Sequence, residues 1–211
     1  YLFVRLLMLS PVKIITTAEG GAVLTNNSKL AKKINLFRSH GITREQELMT
    51  EPSHGGWYYQ QISLGYNYRM TDIQAALGVS QILRMDKFTS KRHIIANRYN
   101  SLLKKLPITL PFQLEETYSA MHLYVIRLKL DKISISHRDV FEALRSSGIG
   151  VNLHYIPVHL HPFYKSLGFN VGDFPESEKY YSEAVSLPMY PDLSEDQQDK
   201  VVSAMTSILV S

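Results

Sequence analysis

Apolar residues recur at helical spacing in several stretches of the chain. From Ser28 to Ser39, Leu30, Ile34 and Phe37 are separated by lysines, which predicts an amphipathic helix that stops at Gly41. Further on, Thr71 and Gln74 have the spacing of a capping box and predict the start of a second helix. Three more helices are predicted over 87–106, over 136–147 and from 194 to the end of the chain.

Alternating apolar and polar residues predict strands elsewhere. Residues 12–24 carry β-branched side chains and the pair Gly20-Gly21, which predicts two strands joined by a tight turn, with Lys13 at the start of the first. The apolar residues 1–10 indicate a buried strand or a damaged terminus, and they are far shorter than the ~20 residues of a membrane span. Two further strands are predicted over 122–130 and 150–155, and a long loop over 43–65.

Composition limits the possible functions of this 211-residue chain, which is 45% hydrophobic and 20% charged. The formal charge of +4 comes from lysines and arginines that form no basic run, so a nucleic-acid partner is unsupported. Cysteine is absent and the eight histidines lack metal-ligand spacing, which disfavours disulfides, thiolate chemistry and a metal site. The expected location is the cytoplasm, with no membrane association.

The first motif with chemical content lies around Lys13. Pro11-Val-Lys13-Ile-Ile-Thr-Thr-Ala-Glu19-Gly-Gly resembles the cofactor-lysine motif of the DegT/DnrJ/EryC1/StrS sugar aminotransferases. A lysine on an apolar strand is more often a surface residue with a buried stem, and the Thr-Thr-x-Glu-Gly-Gly context reverses that expectation. Glu19 either braces the glycine pair or faces the active site.

A second match extends the resemblance over nearly the whole chain. Gly65-Tyr-Asn67-Tyr-Arg69-Met-Thr-Asp-Ile-Gln-Ala-Ala-Leu-Gly78 is similar to the family string that leads into its long helix. Shorter matches follow in the list Arg38-Ser-His-Gly41, His122-Leu-Tyr-Val-Ile-Arg127, His154-Tyr-x-Pro-x-His159 and Ser186-Leu-Pro-Met-Tyr-Pro191. The run from Trp57 to Arg69 is most similar to the branch of the family that acts in pseudaminic acid biosynthesis.

The resemblance implies an α/β fold, namely the C-terminal part of an aspartate aminotransferase-like, fold-type I transferase. Residues 1–106 would be a partial large domain that binds pyridoxal 5'-phosphate (PLP), and residues 107–211 a small α+β domain. Family members place nearly half their chain before the lysine, whereas ten residues precede Pro11 here. The Ser and His of the family motif fall on Met8 and Ser10, and a thioether cannot donate a hydrogen bond to phosphate.

The implied chemistry is transfer of an amino group from glutamate to a UDP-linked 4-keto-6-deoxy-N-acetylhexosamine. Lys13 would form the Schiff base with PLP and shuttle the proton, and Asn67 would contact the PLP phosphate of a neighbouring subunit in a homodimer. Arg69 would bind acidic groups of donor or substrate, and His154 and Tyr155 would contact the sugar, although a histidine beside a tyrosine more often packs. The alternatives are a non-catalytic remnant and a perosamine-type or 4-amino-arabinose transaminase.

Overall fold

The computed structural model describes residues 4–210, which divide between Met85 and Asp86 into two compact units. The first unit contains two small antiparallel sheets and two helices. Its elements, in chain order, are β1 (Val4–Met8), β2 (Gly21–Thr25), α1 (Ser28–Arg38), β3 (Ile42–Thr43), β4 (Gln60–Gln61) and α2 (Asp72–Ile82). Strands β1 and β2 pair with Val4 opposite Thr25, and β3 pairs with β4.

The two helices of the first unit begin at side-chain caps. The Oδ1 atom of Asn27 accepts a hydrogen bond from the backbone N–H of Leu30 at the start of α1. Thr71 and Gln74 form the predicted capping box at the start of α2, where each side chain accepts a hydrogen bond from the other residue's backbone N–H. Both predicted helices are therefore confirmed.

The two strands predicted over residues 12–24 are wrong in their first half. Residues 9–20 form an irregular β1–β2 connection, and Lys13 lies within it rather than at the start of a strand. Threonine hydroxyls explain the difference, because Thr16 Oγ1 donates to the Leu9 carbonyl and accepts from the Ala18 N–H. Such side-chain bonds to the backbone compete with a strand ladder. The opening strand is confirmed for Val4–Met8, but its side chains are exposed rather than buried.

The second unit is built on a three-stranded antiparallel sheet in the order β5-β6-β7. Its elements are α3 (Met85–Leu103), β5 (Ile108–Thr109), β6 (Tyr124–Leu128), α4 (His137–Ser146), α5 (Pro162–Ser166), α6 (Pro175–Glu183), β7 (Ala184–Leu187) and α7 (Glu195–Val210). The strand predicted over 150–155 is wrong, because only a single bridge joins Asn152 to Ser186 there.

Burial in the second unit follows the sheet and the helices around it. In β6, Tyr124, Ile126 and Leu128 are buried while the residues between them are half-buried, as expected for alternating strand faces. Helix α3 contributes Tyr99 and Leu103 to this core although it precedes Pro107. The assignment of residues 1–106 and 107–211 to two family domains stays a prediction. No helix within residues 4–210 is long and apolar enough to cross a membrane.

Candidate active site

Lys13 lies in the β1–β2 connection, where the backbone is fixed by several hydrogen bonds. The Leu9 N–H donates to the Gly20 carbonyl at 3.0 Å, and the Thr17 N–H donates to the Leu9 carbonyl at 2.9 Å. The Lys13 N–H donates to the Ser10 carbonyl, and the Lys13 side chain is half-buried. Among residues 4–210, its amine forms no ion pair with a carboxylate.

Close packing requires glycine at positions 20 and 21, where the β1–β2 connection meets β2. A Cβ atom on Gly20 would lie 2.5 Å from Thr17 Oγ1 and 2.8 Å from Met70 Cε, and one on Gly21 would lie 3.0 Å from the Leu7 carbonyl oxygen. A side chain at either position would force its neighbours to move. Residues 19–21 are called the Glu19–Gly21 segment below. Because its two glycines have no side chains, the backbone itself forms the surface there.

Asn67 and Arg69 act as one polar pair. Arg69 Nε donates to Asn67 Oδ1 at 2.7 Å, and Arg69 Nη2 lies 3.5 Å from His40 Nε2. Because the amide oxygen of Asn67 is occupied, its NH₂ group is oriented to donate elsewhere. Both side chains are exposed, so the amide and the guanidinium are accessible to an anion.

A close backbone contact holds the segment that carries this pair. The Tyr66 N–H donates to the Phe37 carbonyl at 2.6 Å, and the Tyr68 N–H donates to the Arg38 carbonyl at 2.9 Å, which fixes the segment against the end of α1. Gly41 has φ of +69°, and a Cβ atom there would lie 1.9 Å from the Ser63 carbonyl oxygen. Glycine is therefore required at Gly41 both by conformation and by space.

A cavity of about 740 Å³ in the first unit brings the two motifs together. Its lining consists of Glu19, Gly20, Gly21, Ala22, Val23, Ile34, Asn35, Arg38, Asn67, Tyr68, Arg69, Met70 and Gln74. The predicted residues Asn67 and Arg69 thus share a cavity with the Glu19–Gly21 segment, while Lys13 is not part of the lining. Two guanidinium groups and three amides against one carboxylate suit an anionic ligand.

Arg38 and Gln74 are cavity residues to which the sequence analysis assigned no role. Arg38 Nε donates to Asn35 Oδ1 at 3.2 Å, and both side chains line the cavity. Arg38 begins one of the short strings that match the family, which was the sequence signal for this residue. Gln74 was predicted only as part of the capping box of α2. The Glu19 carbonyl accepts hydrogen bonds from Thr17 Oγ1 and Gln74 Nε2, both at 3.0 Å, and Glu19 also lines the cavity, so both roles considered for this residue stay predictions.

His154 and Tyr155 lie in the second unit. His154 Nδ1 is 2.7 Å from Ser186 Oγ, and the His154 ring packs edge-on against Tyr155 with 4.6 Å between ring centroids. Tyr155 is 67% exposed, so its ring and hydroxyl are accessible. These contacts fit the packing alternative for His154, while the exposed Tyr155 is compatible with a ligand contact.

Comparison with known proteins identifies relatives over nearly the whole chain. The model of the DegT/DnrJ/EryC1/StrS aminotransferase family matches residues 8–206. The spore coat polysaccharide biosynthesis protein SpsC of Bacillus subtilis is 37% identical, with 93% of this chain and 51% of SpsC covered. The UDP-4-amino-4,6-dideoxy-N-acetyl-beta-L-altrosamine transaminase of Campylobacter jejuni serotype O:2 is 34% identical, with 94% of this chain and 50% of that protein covered.

Solved structures of aminotransferases are also similar to this chain over nearly its whole length. PseC of Helicobacter pylori, an aminotransferase involved in the biosynthesis of pseudoaminic acid, superimposes with a TM-score of 0.87 at 30% identity and covers 98% of this chain and 53% of its own. The PLP form of Spr1654 from Streptococcus pneumoniae gives a TM-score of 0.85 at 27% identity, with 97% and 51% covered. The chain spans about half the length of the relatives that it matches.

Proposed function

The chain belongs to the DegT/DnrJ/EryC1/StrS aminotransferase family, whose members use PLP, and we propose that it acts in PLP-dependent amination of a nucleotide-linked keto sugar. The proposed acceptor is a UDP-linked 4-keto-6-deoxy-N-acetylhexosamine and the proposed donor is glutamate. The first unit would then be part of the large PLP-binding domain, and residues 107–211 would be the small domain. The proposal concerns the complete active site, and this chain contributes some of its residues.

The observation that carries the proposal is the shared cavity of the first unit. It places the amide of Asn67 and the guanidinium of Arg69 beside the Glu19–Gly21 segment, so residues from two separate motifs face one ligand volume. A phosphate ester needs hydrogen-bond donors and positive charge, and this set supplies both. The donor set therefore fits the phosphate of PLP or of a nucleotide sugar. Met8, by contrast, offers no donor to phosphate.

The nucleotide-sugar substrate is supported by the named relatives. The Campylobacter protein is by its name a transaminase of a UDP-linked amino sugar, and PseC is described as an aminotransferase involved in the biosynthesis of pseudoaminic acid. Both are at least 30% identical to this chain. We extend the substrate class to this chain because the similarity covers nearly all of its residues.

Each proposed residue has one task. The Lys13 amine, which has no acidic partner among residues 4–210, would bind PLP covalently and then carry a proton between cofactor and substrate carbons. When bound, PLP supplies an electron sink for moving the amino group. The Asn67 NH₂ would hold the phosphate, and Arg69 would hold a donor carboxylate or substrate anion.

Two further roles stay predictions. In the second unit, His154 and Tyr155 would contact the sugar. If Asn67 binds the phosphate of a neighbour's cofactor, the active unit is at least a homodimer with shared sites.

The covalent role of Lys13 is tested by incubating the purified chain with PLP, reducing with borohydride and locating the added mass by peptide mass spectrometry. We expect the mass on the Lys13 peptide, an absorbance band that depends on Lys13, and loss of both in Lys13→Ala. Lys29→Ala, which removes an exposed lysine of α1, is the matched control and should keep both signals. Equal labelling of many lysines would overturn the role of Lys13.

The acceptor is tested with the same preparation. Formation of 2-oxoglutarate from glutamate is measured with a UDP-linked 4-keto-6-deoxy-N-acetylhexosamine and with a GDP-linked 4-keto sugar as the comparison. The proposal requires turnover with the UDP-linked compound. A preference for the GDP-linked compound would replace the proposed substrate.

A further inference from the structure

The side chain of Gln74 makes contacts in two directions. Its Oε1 atom accepts from the Thr71 backbone N–H at 3.0 Å and completes the capping box of α2. Its Nε2 atom donates to the Glu19 carbonyl oxygen at 3.0 Å, across 55 positions of the sequence. One amide thus connects the start of α2 with the Glu19–Gly21 segment, and an acceptor-only side chain could not do both.

A second contact connects the same two elements. A Cβ atom on Gly78 in α2 would lie 2.8 Å from Thr17 Cγ2, so the helix approaches the β1–β2 connection more closely than any other residue would permit. Thr17 is 1% exposed, and its hydroxyl donates to the same Glu19 carbonyl that Gln74 binds. The Glu19 carbonyl therefore accepts hydrogen bonds from two side chains, one in α2 and one in the β1–β2 connection.

A backbone hydrogen bond also links the two ends of the β1–β2 connection. The Gly20 carbonyl accepts from the Leu9 N–H at 3.0 Å, at the end of β1. Gln74, Glu19 and Gly20 all line the cavity that contains Asn67 and Arg69. Gln74 therefore contributes to the position of the Glu19–Gly21 segment relative to Asn67 and Arg69, because α2 begins three residues after Arg69.

We infer that Gln74 is a positioning residue, which holds the Glu19–Gly21 segment against the start of α2 so that the cavity keeps one shape for an anionic ligand. The identity of that ligand rests on the proposed function, whereas the positioning does not. Helix capping and positioning use different atoms of the side chain. Two variants can therefore separate them.

Gln74→Glu removes positioning and preserves capping. A carboxylate still accepts from the Thr71 N–H, and an acid in the first turn is favourable near the helix N-terminus. It cannot donate to the Glu19 carbonyl, and its charge repels that oxygen. Thr71→Ala is the matched opposite, because it removes the acceptor for the Gln74 N–H while leaving the amide of Gln74 free to bind Glu19.

Residue-resolved amide hydrogen exchange on the full chain distinguishes the two roles. In Gln74→Glu, we expect exchange of the Leu9 N–H to accelerate by about tenfold, the upper range for loss of one net hydrogen bond, while the Gln74 N–H changes little. In Thr71→Ala, the Gln74 N–H should accelerate and the Leu9 N–H should not. Acceleration of the same amides in both variants would overturn the inference, since that is the result of a purely capping role. So would an unchanged Leu9 in Gln74→Glu.

Titration with UDP tests the consequence for the cavity. We expect Gln74→Glu to weaken UDP binding at least fivefold relative to Thr71→Ala, because the Glu19–Gly21 segment moves only in the first variant and because the new carboxylate, which lines the cavity, repels the UDP phosphates. Equal affinities in the two variants would contradict the positioning role. Absence of UDP binding in the unmodified chain would count against the proposed substrate class, and the exchange pattern would still decide the role of Gln74.

Discussion

The two units of the molecule differ in where their apolar side chains lie. Among the described residues, every buried hydrophobic side chain belongs to the second unit, from Ile95 to Leu209. In the first unit, the buried side chains are those of Thr17 and Thr43, and α1 and α2 contain no buried residue. Ile73 on α2 is 84% exposed, although α2 is rich in apolar residues.

This difference shows that the two units are held by different interactions. The second unit has a closed core around β6, so the hydrophobic effect stabilises it directly. In the described part of the first unit, the contacts are backbone hydrogen bonds, bonds from threonine and glutamine side chains and close approaches at glycines, beside apolar side chains that are at most half-buried. Its candidate site is therefore built from polar contacts, and the effects of substitutions should differ sharply between the units.

The largest expected effect comes from truncating the core of the second unit. Leu144 on α4 is fully buried, and Leu144→Ala should lower the free energy of unfolding by about 2–5 kcal/mol because it removes buried methyl groups and leaves a cavity. Urea denaturation followed by circular dichroism measures this loss. The matched variant in the first unit is Leu83→Ala, at a residue that is 81% exposed, with a change within about 0.5 kcal/mol. Similar losses in both would invalidate the comparison.

The next effect concerns a buried charge in the second unit. Arg92 is 6% exposed, and its Nη1 atom donates to the carbonyls of Met121, His122 and Met189 at 3.0–3.1 Å. Burial lowers the pKa of Arg92, since the charged form loses hydration. Arg92→Ala leaves these carbonyls without their donor and should cost about 2–4 kcal/mol of unfolding free energy.

Arg98 on the same helix provides the control for Arg92. It forms ion pairs with Glu195 and Asp199, two exposed carboxylates of the second unit. Arg98→Ala should cost no more than about 1 kcal/mol, because exposed pairs contribute little. Thermal denaturation of the two variants under one condition gives the comparison, and a larger loss for Arg98→Ala would contradict the assigned role of Arg92.

Local sequence signals predicted part of this molecule well. The periodicity of α1 and the Thr71–Gln74 capping box of α2 each depend on a few neighbouring residues. The resemblance likewise identified Asn67 and Arg69, which the cavity brings together. These features depend on short-range chemistry, which a single sequence contains.

Other features depend on contacts between distant residues. The irregular path around Lys13 is set by Thr16 bonding to Leu9, so an alternating pattern was misleading there. The bond from Gln74 to Glu19 spans 55 positions and has no local signal. His159 belongs to a motif that matches the family, but that motif does not predict that its ring is buried against Glu178 on α6. Single-sequence patterns do not specify such pairs.

The His159–Glu178 contact gives a pH-dependent effect within the second unit. His159 Nε2 lies 2.8 Å from Glu178 Oε1, which also accepts from the Gly172 N–H at 2.7 Å. The His159 hydrogen bond, followed by that from Gly172, lowers the pKa of Glu178. Because the folded-state pKa is depressed, the contribution is present above the ordinary glutamate value of about 4.3 and is lost as pH falls through the lower folded value.

Glu178→Gln should therefore lower Tm at pH 7, by less than Arg92→Ala, and this difference from the unmodified chain should shrink on acidification below about pH 4.3. Thermal scans between pH 7 and pH 3 measure it. Glu176→Gln, in the first turn of the same helix, is the control and should show no such convergence. A constant difference across the whole range would exclude Glu178 ionisation as its cause.

The smallest expected change in folding stability concerns two exposed apolar side chains of the first unit, Ile73 on α2 and Leu83 at its C-cap. Ile73 and Leu83 are each more than four-fifths exposed, so Ile73→Gln with Leu83→Gln should change the unfolding free energy by no more than about 0.5 kcal/mol per site. Exposed apolar residues promote association, so the double variant should sediment with less self-association than the unmodified chain. Ile94→Gln, at a 68% exposed residue of α3 in the second unit, controls for a general gain in polarity. A loss of several kcal/mol in the α2 variant would mean that this face is buried in solution, and the first unit would then rely on hydrophobic burial as the second does.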